Sequence, residues 1–101
     1  MIRVTCEPRR VVLEGHAGYA PKGSDIVCAA VSSAAYLTAN TVTEVIGAKP
    51  ELTVDENGAM RLVLSAAEAA RCSDILQGFL LHLDALGQDY PKQIQLIHSE
   101  V

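Results

Sequence analysis

One histidine and one cysteine flank a glycine-containing loop near the start of the chain. Cys28 follows His16 by twelve positions, and Gly18, Pro21 and Gly23 lie between them. Such residues let a loop fold back, so that the imidazole can approach the thiol. A Cys/His pair is the smallest set of groups for covalent acyl transfer, because the imidazole takes the thiol proton and the thiolate attacks a carbonyl carbon.

The sequence after this loop predicts that Cys28 lies in the first turn of a long helix. Ser24 or Asp25 can cap the helix, and Gly47 followed by Pro50 ends it. Unpaired amide N–H groups and the positive end of the helix dipole favour an anion in the first turn, so this position favours a thiolate. On spacing alone, an alternative is that Cys28 is a small buried hydrophobic residue and His16 a surface residue.

The remaining cysteines and histidines are weaker candidates for chemistry. Cys6 lies on the alternating face of the first predicted strand and Cys72 on the apolar side of a second helix, so both are predicted to be core residues. His82 and His98 are expected to face solvent. Three cysteines without a secretion signal are predicted to be thiols and not a disulfide framework. They contain no C-x-x-C pair, so a structural zinc site is not expected.

The elements that must position these groups alternate between strands and helices. Strands are predicted at 2–6, 11–14, 52–54, 60–64 and 94–98, with Asn57-Gly58 in the turn of the second hairpin. A capping box at Ser65 and Glu68 opens the second helix, and Gly87 is predicted to end it. The order ββαββαβ predicts an α+β fold with two layers, in which two helices pack on a sheet of about five strands.

Composition restricts the domain organisation and the partners. The 101 residues are half hydrophobic and suffice for one core, so residues 1–101 are predicted to form a single domain. The net charge of −4 argues against direct nucleic-acid binding.

The amino terminus has no secretion signal, which favours a cytoplasmic protein. The uncharged run 26–43 contains too many hydroxyl side chains for a membrane span. The long helix it forms has more apolar surface than the core needs, and a homodimer could cover that surface.

Many positions around the pair match a known signature. The run resembles the ribosomal-processing cysteine protease (Prp) family at Gly15-His16-Ala17, Ala20, Gly23, Asp25, Val27-Cys28-Ala29-Ala30 and Ser32. The resemblance implies a cysteine endopeptidase that removes a short N-terminal extension from a large-subunit ribosomal protein. It also implies a homodimeric α/β fold without a metal or an organic cofactor. By this resemblance Cys28 is the nucleophile and His16 the general base.

Two further residues match the signature but have structural alternatives. Asp25 either only caps the helix or also orients His16, although an anion so close to Cys28 opposes thiolate formation. Ser32 lies one helical turn after Cys28, where it either donates to the oxyanion or thiolate or bonds back to its own turn.

The loop between His16 and Cys28 is predicted to gate the substrate. Gly15, Gly18 and Gly23 make ordering costly until a peptide binds and brings His16 into register. Tyr19 is either a substrate contact or simply an exposed loop residue. Two other functions remain possible on the residues alone: a non-catalytic, ribosome-associated assembly module, and a different thiol enzyme such as an acyltransferase or redox protein.

Overall fold

The computed structural model of the chain describes residues 1–15, 18, 20–21, 25–55 and 58–98. Within these ranges it contains five strands, three α-helices and one π-helical turn, which confirms the predicted α+β fold. In chain order they are β1 (Ile2–Glu7), β2 (Arg10–Gly15), α1 (Ile26–Asn40), the π-helical turn (Thr41–Val45), β3 (Glu51–Val54), β4 (Met60–Val63), α2 (Ala66–Arg71), α3 (Ser73–Asp89) and β5 (Ile94–His98).

The strands form one mixed sheet in the order β3-β4-β2-β1-β5. Neighbouring strands are antiparallel except β1 and β5, which are parallel, so β3 and β5 are the edges of the sheet. Alternation along β1 places Ile2, Val4 and Cys6 on the helix-covered face. The strand order is not encoded in any local pattern, because it depends on where the connecting helices pack.

The helix α1 begins at the predicted cap and lies over the centre of the sheet. Its buried residues include Val27, Val31 and Ala35. A narrow cleft in the core shows that α1 and α3 both pack above β2 and β4. It is lined by Ala35, Thr38 and Ala39 from α1, Leu76 and Phe79 from α3, Val11 and Leu13 from β2, and Met60 and Leu62 from β4. The π-helical turn extends α1, and Gly47 then adopts φ +78°, which ends the helical segment as predicted.

The stretch Ile26–Val45 is also long and apolar enough to cross a membrane, judged by length and composition only. In this structure one third of it is buried inside the protein. That buried face packs on the sheet, as the core helix of an α+β domain does.

The second predicted helix differs from the structure in two ways. It is divided at Cys72, whose φ of −99° and ψ of 3° end α2 before α3 begins. It also continues past Gly87 to Asp89, because Gly87 keeps a negative φ and the Tyr90 amide still donates to the Leu86 carbonyl. The predicted cap at Ser65 is correct, since its hydroxyl oxygen accepts from the Glu68 amide at 3.2 Å.

Candidate active site

Cys28 is the third residue of α1 and is partly exposed. Its backbone amide donates to Oδ1 of Asp25 at 3.0 Å. The side chain packs against the edge of the hydrophobic core without being enclosed by it. The predicted location of Cys28 in the first turn of the long helix is therefore correct, and the residue is not fully buried.

Asp25 organises the start of α1 through both carboxylate oxygens. Oδ1 accepts hydrogen bonds from the amides of Val27, at 2.9 Å, and Cys28. Oδ2 accepts from the amide of Ala20 at 3.3 Å. The first pair is the predicted helix cap. The contact with Ala20 ties the preceding loop to the turn that carries Cys28, a role that the sequence pattern alone did not indicate.

The other two thiols are poor nucleophiles for a physical reason. Cys6 is 2% exposed and Cys72 is 0% exposed. Burial raises the pKa of Cys6 to about 11, and the neighbouring negative charge of Glu7 adds to the effect. Burial also raises the pKa of Cys72, which outweighs the opposing effect of Arg71. The prediction that both are core residues is confirmed, which leaves Cys28 as the accessible thiol of the three.

Several predicted site residues fall outside the described part of the chain. His16, Tyr19 and Gly23 are among them, so their roles stay predictions from the sequence. His82 and His98 are described and exposed, as predicted. Within the described ranges, no cluster of three or more His, Cys, Asp and Glu side chains has the arrangement of a metal site.

Two glycines at the start of the loop have different structural roles. Gly15 belongs to β2, where it pairs with Ile2, so the strand extends one residue beyond its predicted end. Its φ is +92°, and a Cβ built there would overlap the carbonyl oxygen of Met1. Gly18 also has a positive φ, +70°, but open space surrounds it. Gly15 is therefore a packed strand end, whereas a side chain at Gly18 would meet no such contact.

Ser32 lies one turn after Cys28 on α1 and is exposed. Residues four apart share one side of a helix, so Cys28 and Ser32 form a short stripe. A hydroxyl at this position can donate to a negatively charged oxygen that forms above the sulfur. Its role remains a prediction.

Taken together, the described residues supply an accessible thiol in a capped helix turn and a loop tied to that turn. The arrangement suits attack by sulfur on a carbonyl of an incoming chain. It requires a base, for which His16 is the sequence candidate.

Comparisons with known proteins point to the same chemistry. The profile of the family described as Cysteine protease Prp matches residues 1–95. The ribosomal processing cysteine protease Prp of Staphylococcus aureus is 30% identical over 89 residues, which cover 85% of this chain and 82% of that protein. The protein of the same name from Bacillus subtilis is 25% identical, over 83% of this chain and 80% of its own length.

Solved structures agree with these sequence matches. The S. aureus ribosomal processing protease Prp, crystallised with a covalently linked product peptide, superposes with a TM-score of 0.90 at 25% identity. The match covers 98% of this chain and 100% of that one. The protein SMU.848 from Streptococcus mutans superposes at 0.86 with 27% identity, covering 100% of this chain and 96% of the other. The fold and the sequence together show that this chain is a cysteine protease that belongs to the Prp family.

Proposed function

We propose that this protein is an endopeptidase that removes an N-terminal extension from a large-subunit ribosomal protein, with Cys28 as nucleophile and His16 as general base. The observation that carries the proposal is the position of Cys28, partly exposed in the first turn of α1 while the other two thiols are buried. The relatives from S. aureus and B. subtilis are ribosomal processing proteases, which supports the substrate class.

The proposed reaction proceeds through an acyl-enzyme. His16 accepts the proton of Cys28, and the sulfur attacks the scissile carbonyl carbon to form a C–S bond. As the C–N bond breaks, the imidazolium returns its proton to the leaving amine, and water then hydrolyses the thioester. An S. aureus relative was crystallised with a covalently linked product peptide, which fits a covalent route.

Asp25 acts in this scheme as a positioning residue. Its Oδ1 fixes the backbone of Cys28 and its Oδ2 holds Ala20, so one carboxylate couples the helix turn to the loop that contains His16. A bound substrate peptide would bring His16 toward the thiol, and Gly18, with its φ of +70°, is a described position at which the chain turns.

We further propose that the protein acts as a cytoplasmic homodimer without direct nucleic-acid contacts. A groove of about 450 Å³ between α1 and α3 is lined mainly by apolar side chains, and Leu37 at its side is 64% exposed. A second copy could cover such a surface. Light scattering should give twice the chain mass for the parent. Leu37→Glu should give the mass of a monomer, whereas Ile97→Glu, which changes the outer face of the sheet, should keep the mass of a dimer.

The cleavage reaction itself is tested with a ribosomal protein that carries its extension. The parent protein should release a fragment of defined mass, and Cys28→Ala and His16→Ala should release none. Cys72→Ala is the matched control, since it removes a buried sulfur and should preserve cleavage. An uncut substrate with folded parent protein would refute the proposal.

A further inference from the structure

The outer side of α1 carries a line of side chains that the rest of the described chain leaves uncovered. Ile26 and Leu37 are 57% and 64% exposed. At about 100° per residue, Ile26, Ser33 and Leu37 lie about 120–160° around the helix from the buried Val31. Ser33 and Leu37 line the groove between α1 and α3, so the line faces outward on the α3 side.

The π-helical turn adds Val45 to this line. In a regular α-helix Val45 would lie about 60° from Val42, which is fully buried. Each residue of the wider π-helical turn advances by a smaller angle, so Val45 turns out on the side of Leu37 and is 79% exposed. We call the exposed surface of Ile26, Ser33, Leu37 and Val45 the α1 stripe.

The chemistry of the α1 stripe suits a protein surface as its cover. Glu44 is the single charged residue between Ile26 and Val45, so little charge loses its water when the stripe is covered. Ser33 and the nearby exposed Asn40 are polar, which makes contact with lipid hydrocarbon costly. The stripe spans 20 residues, about 30 Å of helix. With the adjoining groove it offers on the order of the about 800 Å² per partner that a stable interface buries.

The α1 stripe is complementary to itself when two copies of α1 run antiparallel about a twofold axis. If the exposed ends meet, Ile26 lies level with Val45 of the second copy, and Leu37 lies level with Ala34. Leu37 of one copy then faces the groove of about 450 Å³ that Ala34 and Gly78 line in the other. A protruding side chain and the groove that accepts it lie on the same chain, as an isologous interface requires.

This register brings the second copy to the turn that carries the thiol. Ile26 is the first residue of α1, between the Asp25 cap and Cys28. Val45 of the second copy would pack on Ile26 from outside, while Asp25 holds the same turn through the Cys28 amide. Cys28 lies about 160° around the helix from Ile26, so this contact braces the turn and leaves the thiol uncovered.

We propose that two copies of the chain pair antiparallel along the α1 stripe, and that Val45 of each copy completes the active site of the other by packing on Ile26. The inference rests on the proposed function, because it takes Cys28 as the nucleophile and deepens the proposed homodimer. Val45 is a positioning residue supplied in trans: it holds the turn from which the sulfur projects.

Disulfide cross-linking tests the register without reference to activity. In a Cys28→Ala background, Ile26→Cys and Val45→Cys chains are mixed, left to exchange and oxidised. The mixture should give a covalent dimer on a non-reducing gel. Neither variant should do so alone, because like positions lie about 30 Å apart in the antiparallel pair. A cross-link formed by either variant alone, or none in the mixture, would overturn the antiparallel register.

Mixed dimers test whether Val45 acts in trans. Val45→Glu should lower kcat for the extended ribosomal protein by about tenfold to a hundredfold, as expected when a positioning contact is lost. Cys28→Ala should be inactive. In an equal mixture the intact Cys28 of a mixed dimer meets an intact Val45, so random pairing should return about a quarter of the parent rate per chain.

A matched control and a milder variant complete the test. Ile97→Glu, on the outer sheet face, should equal the parent and gain nothing per intact Cys28 from mixing with Cys28→Ala. Val45→Ala provides the same comparison if Val45→Glu does not fold.

The outcomes separate this proposal from the proposed function. If the parent cleaves as a monomer, or if the mixture of Val45→Glu and Cys28→Ala stays as slow as Val45→Glu alone, the contribution in trans is wrong and the proposed function stands. If the folded parent cleaves nothing, the proposed function fails and the active-site role of Val45 fails with it, whatever the cross-linking shows.

Discussion

The amide nitrogen of Cys28 lies 3.0 Å from Oδ1 of Asp25, so the proposed nucleophile and the helix cap share one hydrogen bond. This bond fixes the turn from which the sulfur projects. The same carboxylate holds the Ala20 amide through its other oxygen, at 3.3 Å. Stability of the helix start and placement of the loop are therefore coupled in one side chain.

Two replacements of Asp25 should separate the effect of its helix cap on stability from the effect of its negative charge. Asp25→Ala removes the acceptor and should lower the free energy of unfolding by about 1 kcal/mol, with a parallel fall in kcat/KM. Asp25→Asn keeps one acceptor oxygen and should remain close to the parent in stability. Urea unfolding of the three proteins checks this, and equal stability of Asp25→Ala and the parent would contradict the assigned cap.

Selective alkylation should identify Cys28 as the accessible thiol. Folded protein treated briefly with iodoacetamide at pH 7 should gain one adduct, on Cys28, because Cys6 and Cys72 are buried. Peptide mapping locates the adduct, and Cys28→Ser is the control that should gain none. Equal labelling of Cys72 in the folded state would contradict the burial described above.

Gly15, at the end of β2, and Gly18, in the following loop, should differ in their tolerance of a side chain. Gly15→Ala places a Cβ at a positive φ and against the Met1 carbonyl oxygen. It should lower the free energy of unfolding by more than about 1–2 kcal/mol, the amount expected for a left-handed residue alone. Gly18→Ala has open space and should cost no more than that amount. Denaturant unfolding gives both values, and an equal cost at the two positions would contradict the packed strand end at Gly15.

Alkaline pH should destabilise the protein partly through Cys6. The pKa of Cys6 is about 11 in the folded protein, above the value of about 8.5 for a thiol in the unfolded chain. Between about pH 8.5 and pH 11 the unfolded chain loses the thiol proton of Cys6 while the folded protein keeps it. The free energy of unfolding is therefore unaffected by this group below about pH 8.5 and falls as the pH rises through 11, by up to about 1.4 kcal/mol per pH unit. Cys6→Ala should show a shallower decline over the same range, and identical slopes would contradict this origin.

Much of the fold could be predicted from local sequence patterns. Alternation along 2–6 and 11–14, the Asp25 cap and the Ser65–Glu68 capping box each have a short-range physical cause, and each is correct in the structure. The division at Cys72 was missed because it interrupts an apolar helical pattern without a glycine or proline. A glycine such as Gly87 often ends a helix, which is why the pattern predicts an end there, but here Gly87 keeps a negative φ and the helix continues.

The candidate site was predicted only in part. A cysteine three residues after a capping aspartate indicates a helix-start thiol, and this local feature is correct. The contact from Ala20 to Asp25 has no local sequence signal, because it depends on how the loop folds back onto the helix. The pairing of His16 with Cys28 stays a prediction from the sequence.

The central claim is that the sulfur of Cys28 forms the bond to the substrate. The most direct measurement uses a peptide chloromethyl ketone whose sequence ends at the located cleavage site, followed by peptide mapping of the labelled protein. One adduct on Cys28, formed faster than with a scrambled peptide and blocked by excess uncut substrate, is the result we predict. An adduct on Cys6 or Cys72, or equal labelling by the scrambled peptide, would contradict the assignment of Cys28 as the nucleophile.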